Sequence, residues 1–176
     1  MAIIVQEKEK LFTLQTKNST WQMQVSPYGH LLHLYYGKKT GGNMDYLLQF
    51  ADRGFSGNPN DVGNDRTYSM DVLPQELPCQ GTVDYRSPAV IIRNADGSYG
   101  CDFRYRGHRI TKGKYGLPKL PAVYAGNEEA DTLEIDLEDP VTNMRITLFY
   151  GVLADLNIIT RSARIQNCGM KKIYLK

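Results

Sequence analysis

The sequence has 176 residues, of which 41% are hydrophobic and 23% are charged, and its 21 basic and 19 acidic side chains give a formal net charge of +2. This length suits one folded domain, and the balance of apolar and charged residues excludes an intrinsically disordered chain. Because the basic residues are interspersed with acidic ones, the composition also argues against a nucleic-acid-binding protein.

The amino terminus and the cysteines indicate the cellular compartment. The apolar stretch at residues 2–5 is too short for the core of a signal peptide, and no segment is long and apolar enough to span a membrane. Cys79, Cys101 and Cys168 are widely spaced and form no CxxC pair or zinc-like cluster with histidines. We therefore expect a cytoplasmic protein with reduced thiols, no metal, no cofactor and no membrane partner.

The first clear elements form a hairpin. Trp21, Met23 and Val25 alternate with glutamines, which predicts a strand with the apolar side chains towards the core and the glutamines on the opposite, polar face. Residues 26–29 (Ser-Pro-Tyr-Gly) are typical of a turn, because proline presets φ and glycine tolerates a positive φ. Residues 31–36 then supply the partner strand.

A second hairpin is predicted in the middle of the chain. The apolar run at residues 89–92 ends at Asn-Ala-Asp-Gly, residues 94–97, which is a strong hairpin-turn signal. Residues 101–105 alternate again, and we expect them to form the returning strand.

Three further strands are predicted in the last third of the sequence. Residues 132–138 alternate most clearly, with leucine and isoleucine on one face and acids on the other, and similar patterns follow at 144–152 and 156–165. No helical period persists beyond two turns. We therefore predict an all-β fold, an antiparallel β-sandwich with long loops and little helix, while a closed barrel remains compatible with the pattern.

Two segments and the chain end depart from this pattern. Residues 41–81 and 107–130 are rich in loop-forming residues, and predicted loops of this length in a compact domain are usually either functional or wrongly assigned. Residues 171–176 resemble the beginning of a strand after a turn at Cys168-Gly169. Because an unfinished strand would leave an unprotected edge, we expect the chain to be part of a longer polypeptide.

The first long loop carries a family resemblance. It contains DRGFSGNP at residues 52–59, NDRTYS at 64–69 and DVLPQE at 71–76. Shorter segments that share the resemblance lie at residues 32–37, 85–89 and 117–124. Together these segments resemble the amino-terminal part of bacterial glycoside hydrolase family 36 α-galactosidases, from about Phe12 onwards.

The resemblance implies a fold and an activity. It implies that residues 1–176 form one amino-terminal β-supersandwich domain, which in such enzymes precedes a catalytic (β/α)8 barrel that this chain does not contain. It further implies hydrolysis of terminal α-1,6-linked galactose from melibiose, raffinose and related oligosaccharides, with retention of configuration. The two catalytic aspartates of the family lie on the barrel, so we assign no catalytic residue and no cofactor to this chain.

The resemblance also implies binding residues and partners. In tetrameric members of the family, the loop that matches residues 51–66 reaches the active site of a neighbouring subunit. The candidate substrate-binding residues are therefore Asp52, Arg53, Phe55, Asn58, Asp65 and Arg66. Such side chains suit a sugar, because carboxylates, amides and guanidinium groups bind hydroxyls and aromatic rings stack on sugar faces. The implied partners are a galactose-containing oligosaccharide, the barrel of the same polypeptide and the other subunits of a homotetramer.

Structural roles compete with binding roles for several of these residues. Arg53 and Arg66 suit salt bridges as well as ligand contacts. The acids at positions 52, 61, 65 and 71 are typical of turn formation beside glycine and asparagine, more than of a retaining glycosidase pair, which needs carboxyl groups about 5 Å apart. We expect Trp21 to be a core residue, and the three histidines to occupy surface or hydrogen-bonded core positions.

Two other functions remain open from the sequence. The chain could be a stand-alone carbohydrate-binding β-sandwich module, which predicts aromatic side chains exposed on one sheet face. It could instead be a pure interaction domain, in which case loop substitutions would alter assembly and leave the kinetics of the assembled enzyme unchanged.

Overall fold

The structure, a computed structural model, describes residues 2–55 and 57–176. The strands found in this part are β1 (Ile3–Gln6), β2 (Leu11–Gln15), β3 (Ser19–Val25), β4 (Leu31–Lys38), β5 (Ile92–Arg93), β6 (Arg104–Lys112), β7 (Asp131–Asp139), β8 (Met144–Leu153), β9 (Ile158–Asn167) and β10 (Tyr174–Leu175). Helical structure in these residues is limited to three short 3₁₀ segments, Asp45–Leu47, Asn60–Val62 and Ala154–Leu156. The predicted all-β class with little helix is confirmed.

The strands form two main antiparallel sheets. One has the order β1-β2-β3-β4 and the other the order β6-β7-β8-β9, so each is a meander of sequence neighbours. Strands β5 and β10 form a separate two-stranded sheet. Because no strand of one main sheet pairs with a strand of the other among the described residues, the fold is a sandwich and not a closed barrel.

The two main sheets share one hydrophobic core. The first sheet contributes Ile3, Phe12, Leu14, Met23 and Val25, and the second contributes Leu133, Ile135, Leu137, Ile146, Leu148, Tyr150 and Val152. Each of these side chains is at most 6% exposed, and each stabilises the fold by roughly 1.5–3 kcal/mol relative to an exposed position. The alternating apolar residues of the sequence thus form the inner faces of both sheets.

The first predicted hairpin is confirmed. Strands β3 and β4 pair across a turn in which Gly29 has a φ of 86°, and Trp21 is partly buried against the common core. On the polar face of β3, Gln22 is only 2% accessible. Its amide donates to Thr13 Oγ1 and to the Gly42 carbonyl at 3.1 and 2.9 Å, because the long loop after β4 covers this face.

The second predicted hairpin is wrong. The turn itself forms, with Asn94 N donating to Ser98 O at 2.8 Å, but the flanking segments do not pair with each other. Residues 92–93 pair with β10, and the chain after the turn enters β6, which pairs with β7. A long partner strand provides β6 with more backbone hydrogen bonds than the short segment before the turn.

The remaining strand predictions are confirmed, with shifted limits. Residues 132–138, 144–152 and 156–165 correspond to β7, β8 and β9, and the predicted strand near the chain end is present as the short β10. The loop predicted to begin at residue 107 begins after Lys112, because β6 extends to that residue. No helix in residues 2–55 and 57–176 is long and apolar enough to cross a membrane.

Candidate functional site

The long loop between β4 and β5 has a hydrophobic core of its own. The buried residues of this second core are Leu32, Val62, Tyr68, Met70 and Leu73. Four of the five belong to the loop, and only Leu32 comes from a strand. The segment with the family motifs is therefore a packed structure, which holds its exposed tip in a defined position.

Two of the predicted site residues stabilise the tip of this loop. The Asp52 carboxylate accepts a hydrogen bond from Gly54 N at 2.7 Å and lies 3.4 Å from Arg66 Nε. Arg66 also donates to the Gly54 carbonyl at 2.6 Å, and Gly54 has a φ of 72°, which glycine adopts without strain. Because the side chains of Asp52 and Arg66 remain 51% and 60% exposed, both still have polar atoms that can reach a ligand.

Two other predicted residues determine the path of the loop below its tip. Asn58 donates to the Tyr68 carbonyl at 2.8 Å. Asp65 accepts hydrogen bonds from the hydroxyl and the amide of Thr67 at 2.6 and 2.9 Å, and these bonds hold the pKa of Asp65 below its usual value. Both side chains therefore have structural roles that sequence reasoning did not distinguish from sugar binding.

The last two predicted residues, Arg53 and Phe55, lie at the tip and are exposed to solvent. Phe55 is fully exposed, at 111% of its reference accessibility, and Arg53 makes no hydrogen bond or ion pair with the described part of the chain. A phenylalanine side chain in water forgoes about 2–3 kcal/mol of burial energy. These two side chains are thus available to a partner outside this chain.

The base of the loop depends on a close approach between two segments. A Cβ atom added to Gly57 would lie 2.6 Å from Val83 Cβ and 2.7 Å from Val83 O. The carbonyl of Gly57 also accepts a hydrogen bond from Met70 N at 3.1 Å. Glycine is needed here because any side chain would separate the two segments.

Arg86 is a residue that sequence reasoning did not single out. It binds Asp84 through Nε and Nη2, both at 2.8 Å, and donates to the carbonyls of Met70 and Leu73 at 3.0 and 2.7 Å. Burial raises the pKa of Asp84, but the bonds from Arg86 outweigh it and leave the pKa below its usual value. The segment at 85–89, which shares the family resemblance, therefore stabilises the loop by binding the backbone at Met70 and Leu73.

Glu76, at the end of the DVLPQE motif, is a second such residue. Its carboxylate is 1% exposed and accepts a hydrogen bond from Tyr150 at 2.9 Å. The same carboxylate lies 2.9 Å from His33 Nδ1 and 3.3 Å from Arg161 Nη2. Because Tyr150 and Arg161 are on β8 and β9 and His33 is on β4, this carboxylate joins the loop to both sheets.

The loop aspartates that the sequence placed near one another act separately. Asp61 binds Arg104 Nη1 at 3.0 Å, and Asp71 accepts a hydrogen bond from Gly57 N at 3.4 Å. Asp52 and Asp65 bond two residues along the chain, as expected for turn formers, whereas Asp61 and Asp71 bind residues 43 and 14 positions away. Within the described ranges, no three His, Cys, Asp or Glu side chains converge as a metal site would require.

The histidines have hydrogen-bond partners, and the exposed aromatic residues are scattered. His30 and His33 bond to Tyr68 and Glu76, and His108 Nδ1 lies 2.8 Å from Tyr105 Oη. The exposed aromatic side chains are Tyr36, Tyr46, Phe50, Phe55, Tyr85, Tyr124 and Tyr174. Only the first and the last of these lie in strands, and those strands belong to different sheets. Residues 2–55 and 57–176 thus present no aromatic row on one sheet face, the feature expected of a carbohydrate-binding module.

Comparison with known proteins gives consistent matches over the whole chain. Residues 29–176 match the model of the glycosyl hydrolase family 36 N-terminal domain. The chain is 52% identical to the bifunctional α-galactosidase/sucrose kinase AgaSK of Mediterraneibacter gnavus over 100% of its own length and 19% of that protein. It is 40% identical to the α-galactosidase AgaA of Geobacillus stearothermophilus over 99% of its own length and 24% of that protein.

Solved structures of related proteins have the same fold. The galactosidase domain of AgaSK superimposes with a TM-score of 0.96, covering 99% of this chain and 24% of that one. A variant of AgaA from G. stearothermophilus, crystallised with raffinose, superimposes with a TM-score of 0.88 at 40% identity, covering 94% of this chain and 23% of that one. The chain therefore spans about a fifth to a quarter of the length of the proteins that it matches.

Proposed function

The chain belongs to the glycosyl hydrolase family 36 N-terminal domain family, and from this membership we propose that it is the non-catalytic amino-terminal domain of an α-galactosidase. The observation that carries the proposal is its 52% identity over the whole chain to an α-galactosidase. The separate structural roles of its loop aspartates support the assignment of catalysis to another domain, a (β/α)8 barrel of the same polypeptide. The isolated chain is accordingly inactive.

The proposed substrates are oligosaccharides with terminal α-1,6-linked galactose, such as melibiose and raffinose, hydrolysed with retention of configuration. The raffinose complex of the AgaA variant supports this substrate class. The proposed location is the cytoplasm, which the three unpaired thiols of Cys79, Cys101 and Cys168 support, since secreted proteins usually form disulfides.

The proposed role of the loop at residues 51–66 is to complete the substrate pocket of a neighbouring subunit in a homotetramer. This role is supported by the unengaged side chains of Arg53 and Phe55 at the tip of a loop with its own core. An aromatic ring and a guanidinium group suit a sugar, which has both apolar faces and hydroxyls. Asp52 and Arg66 stabilise the tip and add polar atoms, whereas Asn58 and Asp65 act by shaping the loop.

This role can be tested in a chimeric enzyme, in which this chain replaces the matching amino-terminal segment of AgaSK. We expect Phe55→Ala and Arg53→Ala to raise the KM for raffinose while the oligomer mass is unchanged, because loss of uniform substrate binding raises KM at constant kcat. Tyr124→Ala is the control, since this tyrosine is 88% exposed on a different loop.

The same experiment separates the competing functions. A change in oligomer mass with unchanged kinetics in the assembled form would identify a pure interaction domain. Calorimetric titration of the isolated chain with raffinose tests the remaining alternative, because millimolar or tighter binding would identify a stand-alone carbohydrate-binding module.

A further inference from the structure

Arg104 connects the loop to the sandwich. Arg104 is the first residue of β6, and its side chain reaches away from the strand to three partners. Its Nη1 donates to Asp61 Oδ2 at 3.0 Å and to the Tyr28 carbonyl, and its Nε donates to Asp102 Oδ1 at 2.7 Å. Asp61 lies in the 3₁₀ segment Asn60–Val62 of the loop. One guanidinium group therefore joins the loop, the β3–β4 turn and the second sheet, and its side chain is only 18% exposed.

The hydrogen bonds continue beneath the loop and return to it. Asp102 Oδ1 lies 3.3 Å from His30 Nε2, and His30 Nδ1 lies 2.6 Å from Tyr68 Oη. His30 and Tyr68 are 2% and 1% exposed, and the Tyr68 hydroxyl also lies 2.7 Å from Ser26 Oγ. Because Asp61 and Tyr68 both belong to the loop, this series of bonds holds the loop at two positions, on either side of Asp65 and Arg66.

The geometry also decides between a ligand site and a structural role. A cavity of about 490 Å³ borders this network and is lined by Tyr28, Asn60, Asp61 and Arg104, among others. Three charged groups face it, and Arg104 forms ion pairs with the other two, Asp61 and Asp102. A ligand would have to break these ion pairs, so the arrangement favours a structural role.

We propose that Arg104 is a positioning residue, which holds the loop at residues 57–66 so that the tip reaches its partner in one orientation. Lysine could not replace it, because a single ammonium group cannot reproduce the planar set of donors that contacts two carboxylates and a carbonyl. The catalytic consequence rests on the proposed function of the loop, but the positioning itself does not.

Hydrogen exchange in this chain tests the positioning directly. We expect Arg104→Gln to accelerate amide exchange at residues 58–66 by about tenfold, the factor that corresponds to one lost charge-assisted hydrogen bond. The amides of β7 and β8 should keep their exchange rates. Arg109→Gln is the control, because Arg109 also lies on β6 and also binds two carboxylates, those of Glu134 and Asp136, at 2.6 and 2.7 Å.

A second variant keeps the proposal falsifiable if Arg104→Gln does not fold. Asp61→Asn removes only the loop side of the contact, and the Asp61 side chain is 55% exposed, so the sandwich core is untouched. It should accelerate exchange in the same residues. Unchanged exchange at 58–66 in Asp61→Asn, or a uniform acceleration across the whole chain in both variants, would overturn the proposal.

Kinetics in the AgaSK chimera test the catalytic consequence separately. We expect Arg104→Gln to raise the KM for raffinose with little change in kcat. The Asp61→Asn/Arg104→Gln double variant should have the same KM as Arg104→Gln alone, because both substitutions remove the same Asp61–Arg104 contact. If exchange accelerates while KM does not change, Arg104 does not position the tip for substrate. If Phe55→Ala and Arg53→Ala also leave KM unchanged, the proposed function of the loop fails instead.

Discussion

Replacement of Glu76 with alanine is expected to lower the free energy of unfolding by about 3 kcal/mol, as is typical for removing one partner of a buried ion pair. The carboxylate is 1% exposed and contacts Tyr150, His33 and Arg161. These three groups differ in how far water can replace the lost carboxylate, and the expected change in the free energy of unfolding follows from their exposure.

Tyr150 accounts for most of the expected loss. It is 0% exposed, so its hydroxyl cannot turn towards solvent, and an unpaired buried hydroxyl costs about 1–3 kcal/mol. His33 and Arg161 are 30% and 36% exposed at the side chain, so water replaces much of their interaction and their share is about 1 kcal/mol. Glu76→Gln retains an acceptor for Tyr150 and should therefore cost about half as much as Glu76→Ala.

Urea denaturation of the isolated chain at neutral pH, followed by circular dichroism, measures these differences. Glu134→Ala is a matched control, because Glu134 pairs with the 52%-exposed Arg109 on the outer face of the second sheet and should cost less than about 1 kcal/mol. Tyr150→Phe in the Glu76→Ala background should recover part of the loss, since it removes the unpaired hydroxyl. A Glu76→Ala protein within 1 kcal/mol of the wild type, or a Glu76→Gln protein as unstable as Glu76→Ala, would refute this reasoning.

Two further predictions concern the loop and its attachment. Although partial burial raises the pKa of Asp102, the hydrogen bonds from His30 and Arg104 lower it to about 2. The ionised Asp102 carboxylate therefore stabilises the folded chain at pH values above its unfolded pKa of 3.8, and this stabilisation is lost as the pH falls through the folded pKa of about 2. Because the side chain is 47% exposed, we expect a stability difference of about 1 kcal/mol between wild type and Asp102→Asn at pH 6. This difference should shrink in urea unfolding at pH 2.5, and a constant difference would contradict the assignment. Gly57→Ala should destabilise the chain by about 1–3 kcal/mol, because the new Cβ would lie 2.7 Å from the Val83 carbonyl. Gly100→Ala is its control, since a Cβ there meets no atom within 4 Å, and equal thermal stabilities of the two variants would argue against the close contact.

The strand pattern was the part of the fold that the sequence determined by itself. Residues 132–138 and 144–152 are strands because alternation of apolar and polar side chains is a local property of a half-buried pleated strand. The same reasoning paired residues 101–105 with the segment before them, which was wrong, and it did not show that Gln22 on the polar face of β3 is buried. In each case a distant segment decided the outcome: the loop after β4 covers Gln22, and β7 pairs with β6.

The candidate site divides in the same way. The motifs located the loop, and short-range turn chemistry explains Asp52 and Asp65, whose partners lie two residues away. Arg104 stood out in no local pattern, and the role of Glu76 could not be inferred although it ends the DVLPQE motif, because their partners Asp61 and Arg161 are 43 and 85 residues away in sequence. A long-range ion pair leaves no periodic signal in a sequence, since it depends on which surfaces the folded core brings together. Only the tertiary structure could therefore show which charges hold the loop and which side chains it leaves free at the tip.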